Sequence, residues 1–232
     1  MIARLRADVI ASSWTTDTLD ELLSDGALSA LMRDSRLPAL VELAGVDAPA
    51  ATLTRFFIGG QPERASALDA ALPTLGAAGL ETLGLAATID EDEAASALVM
   101  PRPYSKSAPK RERAQAGEGE EASFPTAPAL PTMRDPDEEP EPEVVVDPWM
   151  RALYDLRPHA AALPGGEHEW WVTSDLGEGQ TGKPLADHHV MGIGGATRTL
   201  LEMTVRDQVD SALDVGCGCG IQALYLATHA RR

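Results

Sequence analysis

The chain has 232 residues, 44% hydrophobic and 24% charged, a balance that excludes wholesale disorder. No run approaches the roughly 18 apolar residues of a membrane span, and residues 1–8 lack an apolar signal-peptide core, so the expectation is a cytoplasmic protein with no membrane partner. The net charge of -17 divides as -9 over residues 1–100, -5 over 101–147 and -3 over 148–232, an acidic surface that repels phosphate. Aromatic residues make up only 4%, so the core must rest mainly on Ala, Leu and Val. Two cysteines one residue apart cannot form a disulfide framework.

Residues 1–100 read as mostly helical. Ile2, Leu5, Val9 and Ile10 share one helical face. Thr16 is the expected cap of a second helix carrying Leu19, Leu22 and Leu23, and Gly26 is expected to break it before Leu28, Leu31 and Met32. A further turn or two covers 37–43, and a helix over 52–58 ends at Gly59-Gly60. Pro62 opens a helix with Ala65, Leu68, Ala71 and Leu72, which Pro73 closes, and 75–80 makes another short helical turn. Thr82-Leu83-Gly84-Leu85 and Ala97-Leu98-Val99-Met100 are the expected strands of a ribbon around the acidic turn 90–93. Helix, turn, helix, ribbon is the order of a winged-helix unit. DNA reading would need basic residues on the second helix, which offers only Arg64 beside Glu63 and Asp69. The expectation is a scaffold or homodimerisation module without DNA binding.

Residues 101–148 hold ten of the 17 prolines, and ten acids between 118 and 147 face only Arg134. Such a stretch buries too little apolar surface to offset ordering entropy, so it reads as a disordered tether. Lys106, Lys110, Arg111 and Arg113 form a small basic cluster within it, read as a solvated linker segment.

Residues 149–232 open with expected strands at 152–156 and 169–173 around the turn Pro164-Gly165-Gly166. A loop follows over 177–184, then Gly192-Ile193-Gly194-Gly195 and an amphipathic helix through Leu200, Leu201 and Met203. A short buried strand is expected at Ala212-Leu213-Asp214-Val215 and a helix over 221–229. Between them lies Gly216-Cys217-Gly218-Cys219-Gly220. Glycines there allow a sharp turn and bring backbone close to a ligand. The spacing is G-x-G-x-G, not the G-x-G-x-x-G of dinucleotide folds.

This strand-to-helix junction resembles motif I of class I S-adenosylmethionine-dependent methyltransferases. With the upstream stretch Asp187-His188-His189-Val190-Met191-Gly192-Ile193-Gly194-Gly195-Ala196-Thr197, it is similar to the small-domain methyltransferases, which include guanine-N2 ribosomal RNA and release-factor glutamine methyltransferases. The nearest likeness is to actinobacterial members with a helical N-terminal domain. The resemblance implies that Asp214, Gly216, Gly218 and Gly220 hold S-adenosyl-L-methionine, with Gly194, Gly195, Ala196 and Thr197 lining the site. It also implies methyl transfer to an amide or exocyclic amine nitrogen of RNA or a translation protein.

Cys217 and Cys219 lack the second pair of a structural zinc site, so no metal is expected. Asp187, His188 and His189 suit a loop, and adjacent Trp170 and Trp171 on a strand should face opposite sides, one of them the core. The family's second-strand acid and its Asn-Pro-Pro-aromatic motif are absent, so no catalytic residue is named. The fold expectation is therefore an α-helical, winged-helix-like N-terminal domain (1–100), a linker (101–148), and the start of an α/β Rossmann-like methyltransferase domain (149–232). That domain is expected to be truncated after motif I, with residues 205–232 poorly stable or in need of a partner. The alternative outside enzymology is a non-catalytic winged-helix interaction module with a vestigial glycine loop.

Overall fold

Helix α1 (Ile2–Ala11) buries Val9 and leaves Ile2 and Ile10 exposed, so its apolar stripe is narrower than the sequence spacing suggests. The computed structural model describes residues 1–98, 146–163 and 165–232. Thr15, one residue before the expected position, caps α2 (Thr16–Leu22): its extended backbone lets the hydroxyl accept from Thr18 N at 3.1 Å. Gly26 lies inside α3 (Asp25–Leu31) and does not break the chain there. Ser24 starts that helix by accepting from Ala27 N, and Glu42 of α4 (Leu37–Glu42) accepts from Ser24 N and Oγ at 2.8 and 2.6 Å.

Pro49 sits in the first turn of α5 (Pro49–Leu53), where its missing N–H costs nothing, and the helix widens into a π turn (Thr54–Ile58). Thr54 Oγ1 donates to Ala50 O at 2.7 Å and accepts from the buried indole of Trp14 at 2.9 Å. Gly59 closes the turn at a place where a Cβ would lie 2.5 Å from both Arg55 O and Leu40 Cδ2, so only glycine fits.

The chain then runs through β1 (Glu63–Arg64), α6 (Ala65–Ala71), α7 (Gly76–Thr82), β2 (Ala86–Ile89) and α8 (Glu91–Ala97). The expected strand at 82–85 is displaced, because α7 takes Thr82 and Gly84, at φ 71, turns the chain before β2 begins. The acids at 90–93 are not a hairpin turn. Asp90 Oδ1 accepts from Glu93 N at 2.8 Å, and Glu91, Asp92 and Glu93 fill the first turn of α8, where the helix dipole favours negative charge. The strand expected at 97–100 is replaced by the end of α8 as far as Ala97, and residues 99–100 lie outside the described residues.

The missing strand comes from beyond the linker. β3 (Trp149–Ala152) inserts between β1 and β2, giving an antiparallel sheet of order β1-β3-β2 with Met150 opposite both Glu63 and Thr88. Asp147 fastens the entry, accepting from Ser66 N at 2.9 Å and from its hydroxyl at 2.6 Å. The residues before the linker and those from Asp147 onward thus form one compact unit, although composition divides them at 100 and 148. The linker expected at 101–148, with its basic cluster, lies outside the described residues except for 146–148.

β4 (Tyr154–Leu163) and β5 (Gly166–Asp175) make a hairpin longer than expected, in register from Tyr154↔Asp175 to Leu163↔Gly166. Met150, Ala152 and Leu156 join Trp14, Leu53, Phe56, Phe57, Leu68 and Leu80 in the main core. Burying each large side chain contributes about 1.5–3 kcal/mol. The paired tryptophans do face opposite ways. The Trp171 indole donates to Trp14 O at 2.8 Å and packs on the main core, whereas Trp170 packs in a second cluster with Val172, Leu201 and Ile221.

Three short helices follow: α9 (Glu178–Thr181), α10 (Gly195–Met203) and α11 (Ile221–Leu226). The buried strand expected at 212–215 does not form, and Leu213 and Val215 stand 83% and 85% exposed. A strand is held by a ladder, and this segment has no neighbour supplying one among the described residues. Its surroundings offer the parallel bridge Val209↔Ala230 and the bond from Ala212 N to Arg232 O at 3.0 Å. No Rossmann sheet is present among the described residues, which form helices and two small antiparallel sheets. None of their helices is long and apolar enough to cross a membrane.

Candidate functional site

Asp214 precedes the glycine loop by two residues, and its Oδ2 is shielded from solvent without a hydrogen-bond partner among the described residues. A shielded carboxylate oxygen costs free energy until a donor reaches it. Gly216, Gly218 and Gly220 have φ of 75, 51 and 79. A Cβ on Gly216 or Gly220 would meet no atom within 4 Å, so conformation and not space demands glycine there. The same openness leaves the loop backbone approachable. Gly220 N donates to Cys217 O at 2.8 Å, closing the turn that leads into α11.

The second group of expected residues lies at the start of α10. Gly194 is the cap residue with extended backbone, and Gly195, Ala196 and Thr197 form the first turn. One hydrogen bond links the helices that follow the two groups: Gln222, in the first turn of α11, donates its amide to Thr197 O at 3.4 Å. Beneath them Leu201 and Ile221 are buried against Val172, with Ile193 and Cys219 partly buried alongside.

Cys217 is exposed and Cys219 half-buried, both as free thiols. No group of three His, Cys, Asp or Glu side chains is placed to hold a metal among the described residues. Asp187 and His188 sit in a turn, and His189 Nδ1 lies 3.8 Å from Asp175 Oδ2.

An aromatic cluster under α11 went unread in the sequence. His159 and His168 stack near-parallel on Trp170, with ring centroids 6.3 and 5.4 Å away, and Tyr225 tilts over Trp170 at 5.5 Å. His159 Nε2 and the Tyr225 hydroxyl share a hydrogen bond of 2.9 Å, and the Arg206 guanidinium lies 5.5 Å over the Tyr225 ring. Burial, then the nearby Arg198 charge, lowers the pKa of His159, while burial raises that of Tyr225. His159 and Tyr225 are 66 positions apart, so no local spacing advertises the contact.

Residues 11–97 match a family described as a domain of unknown function (DUF7059). No curated protein matches the chain, and no solved structure does.

Proposed function

We propose that residues 192–222 are the cofactor-holding part of an S-adenosylmethionine-dependent methyltransferase. The observation that carries this reading is the juxtaposition of three left-handed glycines with the unpartnered, shielded Oδ2 of Asp214. The cofactor's amino-acid ammonium is a donor of the kind that oxygen lacks, and the open loop backbone suits a bulky ligand. When bound, the cofactor supplies an electrophilic methyl carbon on a sulfonium sulfur. Asp214 would accept from the ammonium, Gly216, Gly218 and Gly220 would let the backbone lie against the ligand, and Gly194 to Thr197 would line the opposite side. The acceptor class, an amide or exocyclic amine nitrogen of ribosomal RNA or a translation protein, rests on the family resemblance, as does glutamine methylation of release factors as its alternative.

A second reading concerns the helical half. The run α5, β1, α6, α7, β2, β3 with sheet order β1-β3-β2 supports a winged-helix unit whose last strand, β3, comes from beyond the linker. Neither α6 nor α7 carries a Lys or Arg. Arg64 is held by Glu91 at 2.6 Å and lies 4.0 Å over the Trp149 ring. These features favour a protein partner, such as a second copy, over DNA.

Titration of S-adenosylmethionine into the isotopically labelled chain, followed by amide NMR, tests the first reading. Saturable shifts confined to 192–222 are expected. Asp214→Asn is expected to weaken binding about tenfold, and Gly218→Ala by at least as much. No saturable shift, or shifts spread through the helical core, would overturn it.

A further inference from the structure

A cleft opens where the end of the π turn meets the loop after β5. It is small and open to solvent, and Asp34, Arg36, Arg157 and Gln180 supply its polar lining. Gln180 joins the parts: its amide nitrogen donates to Phe57 O at 3.1 Å, Ile58 O at 2.9 Å and Asp155 Oδ2 at 3.0 Å, while its Oε1 accepts from Gly177 N at 2.8 Å. Two glycines let the walls close in. A Cβ on Gly60, at φ 61, would lie 3.0 Å from Gln180 Cβ and 3.2 Å from Arg36 Nη1, and one on Gly179 would lie 3.0 Å from Asp34 O.

The two guanidiniums are unequally compensated. Arg157 donates from Nε to buried Asp155 at 2.7 Å and also from Nη2, the charge of Asp34 acts on it as well, and its Nη1 makes no hydrogen bond among the described residues. Arg36 is half-buried, and Nη1 donates to Gly59 O at 2.5 Å. Among the described residues no carboxylate stands within 4.0 Å of Arg36. Burial alone pulls its pKa down. A partly desolvated cation answered only by a carbonyl favours an incoming anion.

We propose that this cleft binds a small tetrahedral oxyanion, a phosphate ion or phosphate monoester, between the unused guanidinium nitrogens of Arg36 and Arg157. The donors come from two elements, α4's leading residue and β4. A planar carboxylate is satisfied by a single guanidinium fork, whereas a tetrahedral anion offers oxygens to two donors from different directions. Asp34, held at φ 58, places a like charge at the rim and sets an upper limit on affinity. The chain's net charge of -17 gives no long-range attraction, so binding must come from the cleft itself. The proposal does not depend on the glycine loop.

The test uses the full labelled chain at constant ionic strength, with arginine Nε–Hε signals and the amides of 177–182 followed by NMR. Separate titrations use inorganic phosphate, adenosine monophosphate and acetate. Phosphate is expected to give saturable shifts at Arg36, Arg157 and Gly179. A matching response to adenosine monophosphate supports a monoester, and a response to phosphate alone supports the free ion. Arg36→Gln should weaken phosphate binding at least tenfold, and Asp34→Asn should tighten it about fivefold. Equal shifts with acetate, or no saturation by about 50 mM phosphate, weaker than any useful site, would overturn the proposal. Should Arg36→Gln fail to fold, unchanged affinity in Asp34→Asn would overturn it equally.

Discussion

In the helical half Trp14, Leu43, Leu53, Phe56 and Phe57 are 0% exposed, whereas around the glycine loop Met203, Leu213 and Val215 are 77%, 83% and 85% exposed. Both regions use short helices joined by glycine-containing turns, so local structure does not separate them. The difference lies in what each helix packs upon. The first region closes α-helices, a three-stranded sheet and one end of the hairpin over a common core. The second rests α10 and α11 on one face of β5 through Val172, Leu201 and Ile221. A chain that orders its backbone at about 1–2 kcal/mol per residue needs burial in proportion, and the second region has little.

That contrast can be broken or sharpened by experiment. The largest effect is expected for Phe56→Ala, a loss of about 3–5 kcal/mol in global stability by urea denaturation. A loss under about 1 kcal/mol would mean that the helical half is not the cooperative core. Asp8 is 1% exposed and accepts from Thr74 N, Thr74 Oγ1 and Leu75 N. Asp8→Ala strands those donors and should cost about 2–3 kcal/mol in the same assay. Ile221→Ala should remove about 2 kcal/mol of hydrogen-exchange protection from α10 and α11 while barely moving the global midpoint. A matching fall in global stability would show that the two regions unfold as one. Thr15→Ala removes one helix cap and should cost about 1 kcal/mol by thermal melting.

The smallest expected effect is one of pH. Burial holds His159 below the ordinary histidine pKa of about 6.5. The unfolded chain therefore takes up the proton first as pH falls. Packing of α11 on the hairpin should be fully present above that value and weaken as pH drops from it toward the folded pKa. Exchange protection of the Tyr225 amide reports it, and His159→Gln should flatten the profile.

Several features were legible locally. Helices α1 and α10, the start of α2 to within one residue (Thr15 caps it where Thr16 is expected), the opposed tryptophans and the need for glycine at 216, 218 and 220 all follow from spacing or backbone conformation. Strand partners were not legible. The sequence pattern around 97–100 suggested the second strand of the ribbon, but the position between β1 and β2 is taken by Trp149–Ala152, more than 50 residues later. Alternation marks a segment as able to pair and says nothing about which segment pairs with it. The apolar run 212–215 makes the same point in reverse, since without a neighbouring ladder it stays exposed coil.

The sequence by itself determined the local pieces of this protein: where glycine turns the chain into α11, that helices begin near residues 16 and 195, and which acid stands before the glycine loop. Tertiary structure alone decided that β3 completes the first sheet, that Asp214 keeps an oxygen without a partner, and that Arg36, Arg157 and Gln180 meet in one cleft. The physical reason is one of range. Caps and turns are settled by bonds within a few residues, while burial and charge compensation depend on groups that only the folded chain brings near.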